Sequence, residues 1–135
     1  FVDILNNLAE ASAIHAIYFA HYSSNNNVSK NRFLRVNGDP IKTRDQSNFN
    51  SITHNRFYAS GRVAFYQDWY CNKSVRDDCT KAYGECPSIG NELLNNELYN
   101  GYRGPINLAA LREDDSYCER LATPRLKASG NVKYR

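Results

Sequence analysis

The stretch Phe57-Tyr58-Ala59-Ser60-Gly61-Arg62-Val63-Ala64-Phe65-Tyr66 decides how the chain is read, because it supports two folds. Locally it looks like a β-hairpin, with aromatic and β-branched residues on both sides of Ser60-Gly61. The wider window favours a helix. Phe49, Ile52, Arg56, Ala59, Val63, Tyr66 and Tyr70 step by alternating threes and fours, and His54, Tyr58, Gly61, Phe65 and Trp69 form a second stripe. Thr43 with Gln46 makes a capping box ahead of the first turn. The spacing therefore predicts one long helix from about Arg44 to Lys73. Gly61 inside it costs about 1 kcal/mol relative to alanine, which a close helix crossing would explain.

The flanking segments follow the same period. Ile4, Leu8, Ala11, His15, Tyr18 and Tyr22 place a helix over Val2 to Tyr22, apolar nearly all round from Ala11 to Ala20. The Asn-rich stretch Ser23 to Asn27 reads as a surface loop. A short helix from Ser29 to Asn37 would end at Gly38, with Asp39-Pro40 preventing continuation. Ser74 to Pro87 reads as a polar loop. Ser88 can cap a helix reaching Tyr102, and Asn107 one reaching Ala122. Arg125, Lys127, Lys133 and Arg135 make a basic tail from about residue 125. No internal repeat is legible. The expected fold is all-α, a five-helix antiparallel bundle in one domain spanning 1–135, with one long central helix.

With 41% hydrophobic residues in 135, the chain can bury a core. A net charge of +3 does not single out nucleic acid, and no apolar run approaches the ~20 residues of a membrane span. The absence of methionine and the start at Phe1 fit a removed leader and a secreted protein, and equally a fragment of a longer chain. Cys71, Cys79, Cys86 and Cys118 form no CxxC pair, so two disulfides are expected, with three pairings open. A bridge over a short loop such as Cys71–Cys79 contributes about 2–3 kcal/mol. Asn27-Val28-Ser29 and Asn72-Lys73-Ser74 are glycosylation sequons.

No catalytic, metal or cofactor site is expected. His15 and His21 are too far apart for a metal-binding helix pair, and Glu92 and Glu97 do not share a helix face. His54 leaves a secreted hydrolase, for instance a ribonuclease, as a minor reading. Ten tyrosines, six phenylalanines and one tryptophan exceed what such a bundle buries. Some of Tyr58, Tyr66, Trp69, Tyr70, Tyr99 and Tyr102 should therefore be exposed or clustered at an edge, either as a partner surface or as scattered single exposures.

Several pieces of the chain resemble, in order, the sperm lysin family of abalone and related marine snails. They are Phe33-Leu34-Arg35-Val36-Asn37-Gly38, Asn55-Arg56-Phe57-Tyr58, Trp69 with Asn72-Lys73, Ile89-Gly90-Asn91-Glu92 and Val132-Lys133-Tyr134. The resemblance implies a lysin or a diverged acrosomal paralogue with a five-helix fold, secreted from the sperm acrosomal vesicle. Such a protein would bind an egg vitelline envelope glycoprotein and loosen the envelope without enzymatic cleavage. A homodimer and, in a fusion-promoting paralogue, membrane contact are also implied. Matched positions carry Arg35, Arg56 and Lys133 over as basic-surface residues and Tyr58 and Trp69 as patch residues.

Overall fold

The computed structural model describes the backbone of residues 3–5 and, in full, residues 15–69, 85–101, 104–111 and 126–135. Among these there is no helix. Short strands follow one another instead: β1 (Asp3–Leu5), β2 (Ile17–Phe19), β3 (Asn27–Ser29) and β4 (Arg32–Leu34). A coil of β5 (Ile41–Arg44), β6 (Ser51–Thr53) and β7 (Arg56–Tyr58) comes next, then one of β8 (Val63–Asp68), β9 (Glu92–Leu94) and β10 (Glu97–Leu98). An antiparallel pair, β11 (Asn100–Gly101) and β12 (Gly104–Pro105), leads to β13 (Asn107–Leu111), β14 (Lys127–Ser129) and β15 (Val132–Lys133).

Strands at the same place in successive coils pair in parallel and build three sheets. Sheet A has the order β1-β4-β7-β10-β15, sheet B the order β13-β8-β5-β2, and sheet C the order β14-β9-β6-β3. The result is a parallel β-solenoid. Equivalent residues of the first two complete coils are 24 apart, as in Asn31 and Asn55. The spacing lengthens to 41 and then 35 in the later coils, across residues 70–84 and 112–125.

Alternation along each strand sends every second residue inward. Phe33, Phe57 and Leu98 stack inside sheet A, Val28, Ile52 and Leu93 inside sheet C, and Ile41 and Phe65 inside sheet B. Phe33 and Phe57 lie face to face, ring centres 4.7 Å apart. In the last coil the inward positions hold Ala128 and Lys133, both exposed. Lys133 reaches Asn107 Oδ1 at 3.3 Å and puts a polar group over that end of the core.

Corners are the difficult part of such a coil, because their N–H groups leave the sheet ladder while still buried. Asparagine columns satisfy them. Asn31 N–H donates to Asn55 Oδ1 at 3.0 Å, Asn55 N–H to Asn96 Oδ1 at 2.9 Å, and Asn96 N–H to Asn131 Oδ1 at 2.9 Å. Each side-chain NH₂ is used as well, Asn55 Nδ2 donating to Val28 O and Asn96 Nδ2 to Ile52 O. A second column runs through Asn26, Asn50 and Asn91. At a third corner Ser60 Oγ accepts from Val36 N–H and donates to Phe33 O. The residue before the first column is left-handed in all four coils: Lys30, His54, Asn95 and Gly130 have φ of 59°, 56°, 55° and 66°.

This architecture corrects the all-α expectation. The segment Arg44 to Lys73 contains β6, β7 and β8 rather than a long helix, and those strands belong to three different sheets. The helical stripe mixed inward and outward residues, since Ile52 is fully buried whereas Phe49 is 56% exposed. Ser60-Gly61 is a coil corner and not a hairpin turn. Gly61, at φ 60°, is tight because a Cβ would run into Gly38 O of the preceding coil, so the close crossing is between coils. Thr43 caps nothing; it is buried in β5, 3.3 Å from Gln67 Oε1. The helices expected over Val2 to Tyr22, Ser29 to Asn37 and Ser88 to Tyr102 contain strands, and the one over Asn107 to Ala122 opens as β13. The chain also has the internal repeat that was not legible, and its basic segment from residue 126 winds into the last coil.

The disulfide framework expected to tie helices together changes with the fold. No disulfide joins two described residues. Cys86 is disulfide-bonded, and Cys71, Cys79 and Cys118 lie outside the described residues.

Two measurements test this description. Far-UV circular dichroism should show a β spectrum without the helical double minimum. Replacing Asn55 by alanine leaves Asn31 N–H and Val28 O without their buried partner and should lower the unfolding free energy in urea by about 2–5 kcal/mol. A loss under 1 kcal/mol would deny the column its role.

Asp39 offers a pH test. Burial raises its pKa above 3.8 against the lowering effects of His15, the Val63 N–H, Lys42 and Arg62. The folded state thus holds this proton more tightly than the unfolded chain, so stability falls as pH rises through the window just above the ordinary carboxylate range. Asp39→Asn should remove that part of the slope in denaturation curves collected from pH 4 to 7.

Candidate functional site

Outward positions repeat as regularly as inward ones. Register places Arg32, Arg56, Glu97 and Val132 in one row on the outer face of sheet A, and Leu34, Tyr58, Tyr99 and Tyr134 in the next. The adjoining corner carries Lys30, His54, Asn95 and Gly130, whose left-handed backbone turns the side chains out. Strand spacing of about 4.8 Å sets the rise between rungs.

Between the corner and the first row lies a groove of about 360 Å³, lined by Lys30, Asn31, Arg32, His54, Arg56, Asn95 and Glu97. Three successive coils contribute, so the groove runs along the solenoid axis. Three permanent cations face one carboxylate. Arg56 Nε is 3.0 Å from Glu97 Oε2, with both side chains open to water. That charge raises the Arg56 pKa. Solvent screens such a pair, so it shapes the local field more than it adds stability.

Beside the groove the tyrosines form a stack. Tyr58 and Tyr99 have ring centres 4.2 Å apart, and Tyr99 and Tyr134 4.6 Å apart, all nearly parallel. The separation is that of the strands beneath them, so sheet spacing brings the rings into face contact. Tyr99 Oη donates to Glu97 Oε2 at 3.0 Å. Hydrogen bonding with Tyr58, then desolvation and Glu97, hold the Tyr99 phenol above its usual pKa.

The residues singled out from sequence are distributed as follows. Arg56 and Tyr58 share the outer face of β7. Arg35, at φ 52°, is an exposed corner residue just past β4. Lys133 takes an inward position at the end of the core. Trp69 is 4% exposed, so it belongs to the interior, and among the described residues its Nε1 has no hydrogen-bond acceptor. Of the other aromatics, Tyr66 lies on the outer face of sheet B, where Lys42 sits 5.4 Å from its ring centre, and Tyr70 and Tyr102 lie outside the described residues. Lys30, Arg32, Asn95 and Glu97 were not associated with Arg56 and Tyr58 by reading at the helical period, and Tyr99 was grouped with Tyr58 only as one of several surplus aromatics. Their signal is the i, i+2 spacing inside strands, repeated from coil to coil.

The structure does not bring the histidines together. His54 is at the groove, whereas His15 Nδ1 meets Asp39 O at 2.7 Å and His21 Nδ1 meets Asp45 at 2.9 Å, both at other corners. Acid–base cleavage of RNA by a pair of histidines finds His54 without a second histidine in the groove lining. Glycoside hydrolysis ordinarily needs two flanking carboxylates, and among the described residues the groove offers Glu97 alone, already paired with Arg56. No group of three or more metal-ligating side chains occurs among the described residues. What the arrangement can do is hold an elongated, negatively charged ligand across several coils. No family model, curated protein or solved structure matches the chain.

The tyrosine stack should contribute to stability. Tyr99→Ala removes the middle ring and both face contacts, and should destabilise by about 2–3 kcal/mol in chemical denaturation. Tyr134→Ala, at the end of the row, should cost under half of that.

Proposed function

We propose that the outer face of sheet A binds an extended anionic glycan, such as the acidic chains of an extracellular glycoprotein, and does not cleave it. The carrying observation is the placement of Lys30, Arg32 and Arg56 along a groove crossed by three coils. Arg32 and Arg56 stand in register one coil apart, at the strand spacing of about 4.8 Å, so neighbouring acidic groups of an extended chain can each meet a guanidinium. Asn95, exposed at the corner, supplies an amide suited to sugar hydroxyls. Glu97 favours ligands that are not uniformly charged.

Single-stranded nucleic acid is the less suitable polyanion. It gains affinity by stacking bases on open aromatic faces, and the Tyr58, Tyr99 and Tyr134 faces are largely taken up by one another. The egg-envelope glycoprotein implied by the lysin resemblance is one carrier of such glycans. The groove, rather than a helical surface, supports that kind of partner here. Membrane contact has weaker support, because the exposed aromatics Tyr18, Tyr22, Phe49 and Tyr134 lie on different faces and corners.

Retention on immobilised sulfated polysaccharide tests the reading. Wild-type protein should bind at low salt and elute as salt rises, while neutral dextran retains nothing. Lys30→Ala, Arg32→Ala and Arg56→Ala should each weaken binding about twofold to fivefold. Glu97→Gln, which removes the groove's negative charge, should tighten it. A triple alanine variant that elutes with wild type would end the proposal.

A further inference from the structure

We propose that Asn27 carries an N-linked glycan on the outer face of sheet C, and that the fold itself protects the structural asparagines from the same modification. The inference is independent of the groove. It starts from the placement of the sequon Asn27-Val28-Ser29 in β3. Val28 points inward and is 6% exposed, so Asn27 and Ser29 both point outward. Asn27 is exposed, and among the described residues its side chain makes no hydrogen bond. Its rung neighbour is the small Ser51, and β3 is the last strand of its sheet. A bulky substituent at Asn27 Nδ2 therefore meets water.

The column asparagines are in the opposite situation. Asn55 Nδ2 and Asn96 Nδ2 donate to carbonyls of the preceding coil, and a glycan there would break the corner and enter the core. None of them lies in a sequon, for a structural reason. The position two residues after each column asparagine points inward. It is Val28, Phe33, Ile52, Phe57, Leu93 or Leu98, and at the open end Lys133, never serine or threonine. Asn27 escapes this rule because it is one residue out of step with the column, which places Ser29 outward at its +2 position. The disulfide at Cys86 fits an oxidising secretory compartment, where this modification takes place.

The chemistry needs a lipid-pyrophosphate-linked oligosaccharide as donor. Asn27 Nδ2 forms a bond to the anomeric carbon, the carbon–oxygen bond to pyrophosphate breaks, the lipid pyrophosphate leaves and the amide nitrogen gives up a proton. Transfer occurs on the nascent chain, and the coil then closes with the glycan outside.

The full chain, secreted from eukaryotic cells behind a leader, tests this by peptide mapping before and after peptide N-glycosidase. The tryptic peptide ending at Lys30 should carry a glycan, and enzyme treatment should convert Asn27 to aspartate with the matching mass gain. Mapping separates Asn27 from the second sequon at Asn72. Ser29→Ala should abolish the glycan at Asn27 and leave the β spectrum unchanged. An unmodified Asn27 in secreted, folded wild-type protein, or a glycan on a column asparagine such as Asn31, overturns the proposal.

Discussion

The structure depends on the buried asparagine columns. A parallel coil satisfies its backbone within the sheets but must turn three times per circuit, and every turn strands N–H groups away from water. An orphaned buried donor costs about 1–3 kcal/mol. Asn55, fully buried, resolves this by accepting from Asn31 N–H while donating to Val28 O and to Asn96 Oδ1. Because each asparagine needs its counterpart one coil away, the column also sets register. A coil slipped by one residue would lose its corner bonds and turn the inward Phe57 to solvent.

Register then decides what the surface displays. Once Phe33, Phe57 and Leu98 share an inward row, Arg32, Arg56 and Glu97 must share an outward one, and Tyr58, Tyr99 and Tyr134 another. The left-handed residues ahead of the asparagines turn Lys30, His54 and Asn95 toward the same groove. A site spread over 68 positions of sequence, from Lys30 to Glu97 inclusive, is assembled by the geometry that satisfies buried amides. Arg32 and Arg56 are held one strand spacing apart by the backbone register, with Lys30 at the corner two residues before Arg32.

Part of this was legible. The strand-like composition of Phe57 to Tyr66 on both sides of Ser60-Gly61 could be seen in the residues themselves, although the helical period outweighed it. The period could not be, for identifiable reasons. Every fifth residue through Asn50, Asn55 and Ser60 is buried yet polar, which breaks the apolar alternation by which a strand is recognised. Corner residues such as Phe49 are apolar yet exposed, and they complete a false helical stripe. The spacing of equivalent residues changes from 24 to 41 and 35, so a fixed-period comparison finds one repeat and loses the rest. His54 drew attention as a titratable group. Its neighbours in the groove are spread over three coils, and only the coil register brings them near.

The pieces that resemble lysin have an account inside this chain. Asn31-Arg32-Phe33-Leu34-Arg35, Asn55-Arg56-Phe57-Tyr58-Ala59, Asn96-Glu97-Leu98-Tyr99-Asn100 and Asn131-Val132-Lys133-Tyr134-Arg135 occupy the same place in four successive coils. Each opens with a column asparagine, places an outward side chain next, sends the third residue inward and the fourth outward. Two of the quoted pieces fall within this one position and a third, Phe33 to Gly38, begins in it, whereas Ile89-Gly90-Asn91-Glu92 marks a different corner, where Gly90 is left-handed and Asn91 joins the second column. One structural requirement met four times is enough to make these fragments alike and to string them along the chain in order. The helices that the resemblance implies are absent among the described residues, so it is the repeated coil position that explains the spacing of Arg56 and Tyr58 and their place on a common face.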